Sequence, residues 1–446
     1  MIPIEGEKYN VKIDSVSSDG NGVGRIGSFT VFVPMGVIGD RVEVKINKVK
    51  SRYAIGEIVK ILEQSPDRID PPCKYYDRCG GCQIQNMDYK AQVKAKAEII
   101  ENAVRRIGGI RDFSLDEFIE CDKPFHYRNK VIFFCDNGVG MYERGTHNIV
   151  GLNGCMLAYE GVEDIVGAVL DYAKECGVPY YSAKTHTGIL RRIFVRNNSR
   201  GEFMVVLSVN ADTVPNADTL FNNLSKLNVK SVYLNIDKRK NSGAMSYENK
   251  LVYGDRYLSE EIFGIRFKIS PESFFQINYE QTKKLYQKAI ELADIGKDDT
   301  VMDLYCGIGT ISLAVAKQAK SVVGVEAVKR AIDDARENAK ENGIENAEFF
   351  ADKAENIVPK LIDEGSAPDI VIMDPPRSGS DEVTISAILR AKPKRVVYVS
   401  CNPSTLARDL KQFINNGYTI STAIGVDMFP QTMHVETVVG LVKVDN

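Results

Sequence analysis

Four apolar runs in the last third of the chain each stop at a residue able to do chemistry, and that repetition most constrains the fold. Thr300-Val301-Met302-Asp303-Leu304-Tyr305 leads into Cys306-Gly307-Ile308-Gly309-Thr310 and a helical stretch from Ile311 to Lys317. Ser321-Val322-Val323-Gly324-Val325 ends at Glu326, and Asp369-Ile370-Val371-Ile372-Met373 ends at Asp374-Pro375-Pro376-Arg377. Arg395-Val396-Val397-Tyr398-Val399 ends at Ser400-Cys401-Asn402-Pro403. Short continuous apolar runs of this kind read as buried strands of a parallel sheet. In an open α/β sheet the carboxyl ends of such strands meet along one edge, where ligands bind. The fold class expected is α/β, with a Rossmann-like nucleotide-cofactor domain.

The residues at those ends suit a group transfer. Glycines in Gly307-Ile308-Gly309 allow a tight turn and close backbone approach to a ligand at a helix N-terminus. Glu326, at the end of the second run, suits the two hydroxyls of a ribose. The loop is one glycine short of the dinucleotide fingerprint, which argues against NAD and for a smaller nucleoside such as S-adenosylmethionine. Two prolines after Asp374 fix an extended turn at the strand end. Arg377 stands where amine-directed methyltransferases carry an aromatic residue, which points to attack by carbon. Cys401, held at the rim by the Asn-Pro turn, is then the nucleophile, and Glu436 in His434-Val435-Glu436-Thr437 is the base. Taken alone, a cysteine at a strand end is usually a small buried apolar residue. Cys121, Cys135, Cys176 and Cys306 are read that way, and His434 as a neighbour shaping the pocket.

These residues, with Ser273-Phe274-Phe275-Gln276-Ile277-Asn278, resemble the RNA 5-methyluridine methyltransferase family from about residue 270 to the C-terminus. The resemblance implies cofactor binding by Gln276, Tyr305, Glu326 and Asp374, Cys401 as nucleophile and Glu436 as base. Thr310 departs from members that carry Asn there. Carbon 5 of uracil is too poor a nucleophile to attack a methyl sulfonium unaided. A thiolate added at carbon 6 turns carbon 5 into an enolate carbon, and a base must later remove its proton.

Cys73, Cys79 and Cys82 form a C-x5-C-x2-C pattern, with Cys155 as a fourth candidate ligand. Four thiolates suit an iron-sulfur cluster or zinc, and three clustered cysteines with a distant fourth favour the cluster. The pattern resembles the 4Fe-4S site of the ribosomal-RNA branch of the same family. Its first gap of five differs from the C-x3-C-x2-C of radical S-adenosylmethionine enzymes, so the expected role is structural or RNA-organising. Disulfides are disfavoured because nothing in the chain looks secreted.

From Lys8 to Leu62 five short alternating segments lie between glycine turns, as in a small oligonucleotide-binding-type barrel, and this part resembles a TRAM domain. Lys45, Lys48, Lys50 and Arg52 make a local basic run there. Arg128, Arg191 and Arg196 are further candidates for facing RNA. Residues 1–110 carry 17 basic and 14 acidic side chains and residues 251–446 carry 23 and 29, within a net charge of −3. RNA affinity is thus expected from the front of the molecule. The chain divides into a barrel at 1–62, a cysteine-cluster and central α+β RNA-binding domain at 63–265, and a methyltransferase domain at 266–446. A helix at 89–107 is expected to lean on that last domain. The composite expectation is a cytoplasmic, monomeric enzyme with no membrane span. It would make 5-methyluridine in 23S ribosomal RNA, using S-adenosylmethionine and carrying a 4Fe-4S cluster. Transfer RNA is the alternative substrate; an iron-sulfur oxidoreductase and a non-catalytic RNA-binding factor are the alternatives of other classes.

Overall fold

The computed structural model describes residues 2–136, 138–152, 154–240, 245–246 and 248–444. The chain opens with a closed barrel of β1 (Lys8–Val16), β2 (Gly22–Ile26), β3 (Phe29–Val33), β4 (Arg41–Val49) and β5 (Tyr53–Glu63), ordered β1-β2-β3-β5-β4. Alternation along β4 sends Val42, Val44 and Ile46 inward and Arg41 and Lys45 outward. The barrel closes tightly at Gly24, where a Cβ would lie 2.3 Å from the Lys12 carbonyl oxygen. Lys45, Lys48, Lys50 and Arg52 are all exposed.

Helix α1 (Tyr89–Arg106) is started by Asp88, whose side chain accepts from the Lys90 N–H. The short β6 (Glu117–Ile119) follows. A seven-stranded sheet is built from β7 (Lys130–Cys135), β8 (Val139–Tyr142), β9 (Ile149–Gly151), β10 (Leu190–Asn197), β11 (Phe203–Val209), β12 (Val229–Ile236) and β13 (Asn249–Gly254), ordered β13-β12-β11-β10-β7-β8-β9. Helices α2 (Val162–Glu175) and α3 (Ala217–Leu224) cover one face through a core that includes Phe133, Ile165, Val169 and Leu220. The hairpin of β14 (Leu258–Ile262) and β15 (Ile265–Ile269) covers part of the other, where Phe194 and Met204 meet Ile265 and Phe267.

The last sheet has eight strands. Its elements are α4 (Tyr279–Ala293), β16 (Thr300–Leu304), α5 (Thr310–Ala316), β17 (Ser321–Glu326), α6 (Lys329–Glu341), β18 (Ala347–Ala351), α7 (Ala354–Asp363), β19 (Ile370–Met373), α8 (Glu382–Ala391), β20 (Arg395–Ser400), α9 (Pro403–Asn415), β21 (Tyr418–Val426) and β22 (Glu436–Lys443). The strand order is β18-β17-β16-β19-β20-β22-β21-β6. The four apolar runs are β16, β17, β19 and β20, all parallel, and β22 is antiparallel to β20 and β21. Order reverses between β16 and β19, which makes that edge the place for a ligand. The far edge is completed by β6, pairing Glu117 with Ile424, and α1 buries Ile100 and Val104 in the core that holds Leu406 and Leu410 of α9. Residues that precede the central sheet in sequence thus build part of the C-terminal one. Among the described residues no helix is long and apolar enough to cross a membrane.

Candidate active site

A cleft of about 700 Å³ opens at the reversal of strand order. Beyond β16, Tyr305 takes a left-handed conformation with φ 65°, and Gly307 and Gly309 follow at 57° and 81°. Three such residues in five fold the chain back sharply and aim the start of α5 at the cleft. The Cys306 N–H donates to the Val325 carbonyl at 3.0 Å, which holds this turn against β17. Glu326, at the end of β17, accepts from the N–H of Gly307 at 3.3 Å and of Val328 at 2.8 Å. The Tyr305 hydroxyl meets that of Ser380 at 3.1 Å. From the opposite wall comes the segment Ser270–Gln276, with Gln276 against Tyr286 of α4.

Cys401 and Glu436 face this same space. Asn402 caps α9 and its Nδ2 donates to the Arg377 carbonyl at 2.8 Å, pinning the turn that carries Cys401 to the Asp374–Arg377 turn. Glu436 begins β22, is 2% exposed, and leaves its Oε2 without a hydrogen-bond partner. Gln276, Tyr305, Glu326, Asp374, Cys401 and Glu436 therefore all line one cleft.

Electrostatics sets the resting protonation. Burial pushes the Asp374 carboxyl up to about 7, and burial and then Asp374 push Glu436 well above the usual carboxylate range, with Arg377 pulling it back. The Cys401 thiol is raised to about 11 by burial, then by Glu436 and Asp374, against the opposing pull of Arg377. At neutral pH Cys401 thus rests as a thiol. Alkylation of Cys401 by iodoacetamide, followed by peptide mass spectrometry, is expected to be slow at pH 7 and to rise about tenfold per pH unit until the thiol titrates. Glu436→Gln removes a carboxylate and should speed the reaction at pH 8 and above, whereas Arg377→Met removes the opposing cation and should slow it. A flat profile between pH 7 and 9 would contradict this assignment of the thiol. Burial and Arg377 together hold His434 down to about 4. It is therefore a neutral ring, with the Arg377 guanidinium 3.3 and 3.4 Å from its two nitrogens and Phe429 edge-on at 5.9 Å.

Two expectations meet a different picture. Arg191 and Arg196 do not face solvent: they are 7% and 6% exposed. Arg196 donates to the carbonyls of Ser270 at 3.1 Å and Ser273 at 2.8 Å, and Arg191 to those of Asp237 and Arg239. Both guanidinium groups hold loops in place, because their long stems lie among strands already buried on both sides. The cysteine set is only partly gathered. Burial raises Cys79 and takes Cys82 to about 12, and in each case the Cys155 thiol adds a smaller upward push. The Gly81 N–H donates to Cys79 Sγ at 3.5 Å and Gln85 Nε2 to Cys82 Sγ at 3.2 Å. Yet among the described residues no three His, Cys, Asp or Glu side chains meet as a metal site.

Sequence reasoning missed Tyr286, which lies deep in α4 with no local signal. It also left Asp303 unassigned, although the residue stands at the end of β16, accepts from the Ser312 hydroxyl and is raised by burial to about 7.

A family model described as tRNA (uracil-5-)-methyltransferase matches residues 216–444, and a TRAM-domain model matches residues 4–59. An uncharacterized RNA methyltransferase of Halalkalibacterium halodurans is 39% identical over 97% of this chain and 96% of its own. Another, of Caldanaerobacter subterraneus, is 41% identical over 97% of each. Among solved structures, the tRNA (uracil-54, C5)-methyltransferase of Pyrococcus abyssi in complex with S-adenosyl-L-homocysteine superposes with a TM-score of 0.80. It is 26% identical and covers 97% of this chain and 99% of that one. With the cleft, the strand order and the front barrel, these likenesses establish that the chain belongs to the S-adenosylmethionine-dependent RNA (uracil-5-)-methyltransferase family and carries a TRAM domain.

Proposed function

We propose that this enzyme methylates carbon 5 of a uridine in 23S ribosomal RNA through a covalent Cys401–uracil adduct. The observation that carries the reading is the single cleft holding a thiol, a buried carboxyl with an unpaired oxygen and the four residues assigned to the cofactor. S-adenosylmethionine, when bound, supplies an electrophilic methyl group. Gln276, Tyr305, Glu326 and Asp374 hold and orient it, with Glu326 placed for ribose hydroxyls by the backbone N–H groups that fix it. Cys401 gives up its proton to solvent on substrate binding, its thiolate sulfur bonds to carbon 6 of uracil, and the electron pair of the carbon 5–carbon 6 double bond moves onto the enolate. The enolate carbon 5 would then be the nucleophile presented to the methyl sulfonium of the bound cofactor, whose sulfur would leave as the neutral thioether. Glu436, ionised, removes the carbon 5 proton, and the carbon 6–sulfur bond breaks to restore the ring and the thiolate. The burial that raises its pKa makes Glu436 a stronger acceptor once its own proton has left. A buried uridine must be flipped from its stack to reach this pair.

Cys73, Cys79, Cys82 and Cys155 are proposed to hold a 4Fe-4S cluster, organising the front of the molecule with no part in the reaction. Three cysteines on consecutive turns, the electrostatic influence of the Cys155 thiol on Cys79 and Cys82, and N–H donors aimed at those two sulfurs support it. Zinc is the competing occupant. Protein prepared without oxygen is expected to contain about four iron and four sulfide per chain, both lost in Cys82→Ser; zinc in their place would reject the cluster. The same reading places a monomeric enzyme in the cytoplasm, where its RNA substrate would be met.

Transfer RNA is the second reading, favoured by the Pyrococcus abyssi likeness. That tRNA enzyme matches this chain nearly end to end, so the front barrel does not separate the two substrates. The ribosomal preference then rests on the cysteine set. Labelled methyl transfer to unmodified 23S rRNA and to tRNA, with nucleoside analysis, decides. Label in 5-methyluridine of rRNA is expected. Label only in tRNA would change the substrate, and label in neither would reject the function.

A further inference from the structure

We infer that Lys130, at the base of the Ser270–Gln276 loop, receives a phosphate of the RNA strand whose uridine enters the cleft; this rests on the reading of the protein as an RNA-modifying enzyme. Lys130 is the first residue of β7 and stands opposite Arg196 of β10 in antiparallel register, so the two side chains share one face of the sheet. Like charges directly opposite each other are unfavourable, and more so away from water. Arg196 is engaged by the Ser270 and Ser273 carbonyls, not by a carboxylate. The Lys130 ammonium forms no hydrogen bond or ion pair with any described residue, although the side chain is only partly exposed. Burial, and then Arg196, lower its ammonium to about 7. The carboxylate that Arg196 feels is Glu272, which is exposed and accepts from Asn249 Nδ2.

Arg196, engaged only by carbonyls, and a Lys130 that a nearby anion would hold protonated together fit an anion. The cofactor carboxylate is one source and an RNA phosphate the other. Lys130 is absent from the lining of the cleft, while its neighbour Asn129 donates from Nδ2 to the Gln276 carbonyl and from its N–H to the Ile277 carbonyl, both at 2.8 Å. Lys130 thus lies behind the wall that Gln276 presents to the cofactor. The same loop exposes 68% of Phe274. A strand entering over the exposed Phe274 side of this loop to deliver a uridine to Cys401 would bring its backbone past Lys130.

The test uses the full chain and a fluorescein-labelled 20-nucleotide oligouridylate, with affinity followed across a range of KCl. Lys130→Met is expected to weaken binding several-fold at low salt and to flatten the log–log salt dependence by about 0.7, while Lys130→Arg retains both. An unchanged slope in folded Lys130→Met, with S-adenosylhomocysteine binding intact, would overturn the proposal and leave the methyltransferase reading standing. No binding of the oligonucleotide by the unsubstituted protein would remove both. A substitution-free check is acetic anhydride labelling of the natural protein at neutral pH, read by mass spectrometry. Acylation of Lys130 should be suppressed by the oligouridylate and not by S-adenosylhomocysteine; the reverse pattern would hand the site to the cofactor and reject the phosphate.

Discussion

Cys401→Ala is expected to lower methyl transfer by about four orders of magnitude or more, the scale on which removal of a covalent nucleophile acts, while S-adenosylhomocysteine still binds. The reason lies in the substrate carbon. Without sulfur at carbon 6, carbon 5 has no enolate character, and no hydrogen bond in the cleft replaces a covalent bond. The side chain is half-buried beside a helix cap, so truncation to alanine removes one sulfur atom and leaves the Asn402 cap intact. Loss of folding is therefore not expected, and circular dichroism should match the natural protein. Residual activity within tenfold of the natural protein would sink the covalent route.

Glu436→Gln separates the two halves of that route. It keeps shape and burial but removes the proposed proton acceptor, so turnover should fall by roughly a hundred- to ten-thousandfold. On the proposed route methyl transfer to carbon 5 precedes proton removal, and a protein–RNA adduct resistant to denaturation should therefore accumulate. The double variant Cys401→Ala/Glu436→Gln should form none. An adduct surviving in the double variant would point to another nucleophile, and Cys306, which also lines the cleft, is the thiol to examine.

What could be read from the residues follows how local each signal is. The strand ends of the C-terminal sheet were legible because each couples an apolar run to a turn-forming or ionisable residue within ten positions. The barrel was legible because inward and outward residues alternate between glycine turns. β6 was not: three residues carry no period, and their partner in β21 is some three hundred residues away. Tyr286 enters the cleft from an amphipathic helix on which it looks like any other buried aromatic. Arg191 and Arg196 misled because arginines on apparent strands read as a surface, whereas both faces of β10 are covered and the guanidinium groups serve loop carbonyls. Lys130 gave no sequence signal at all. Its isolation is a property of the register that sets Arg196 across from it.

Lys96→Met is expected to loosen the attachment of α1 to the catalytic half by about 3–5 kcal/mol, the usual effect of breaking a buried ion pair on one side. Lys96 Nζ meets Asp427 Oδ1 at 2.5 Å with both side chains fully buried, and also donates to the Phe429 carbonyl at 3.0 Å. The Tyr89 hydroxyl donates to Asp427 Oδ2 at 2.9 Å, and four residues along the loop Gln431 and Gln92 of α1 bond each other through side chain and backbone. These contacts tie α1 to the segment 427–435, which carries Phe429 and His434 into the cleft and delivers Glu436. Burial pulls the Lys96 ammonium down from its ordinary range and Asp427 pulls it back, so the lysine's charge depends on this partner. Removing the lysine leaves a buried carboxylate with one hydroxyl partner, which is worse than having no charges there at all. Lys96→Met/Asp427→Asn should therefore recover more than half of the loss, since Asn still accepts from Tyr89. Hydrogen exchange in α1 reads this directly: about 3 kcal/mol corresponds to roughly 150-fold faster opening. Exchange changed by less than fivefold in Lys96→Met, or a double variant no better than the single one, would show that packing of Ile100 and Val104 on α9 holds the helix and the buried pair does not.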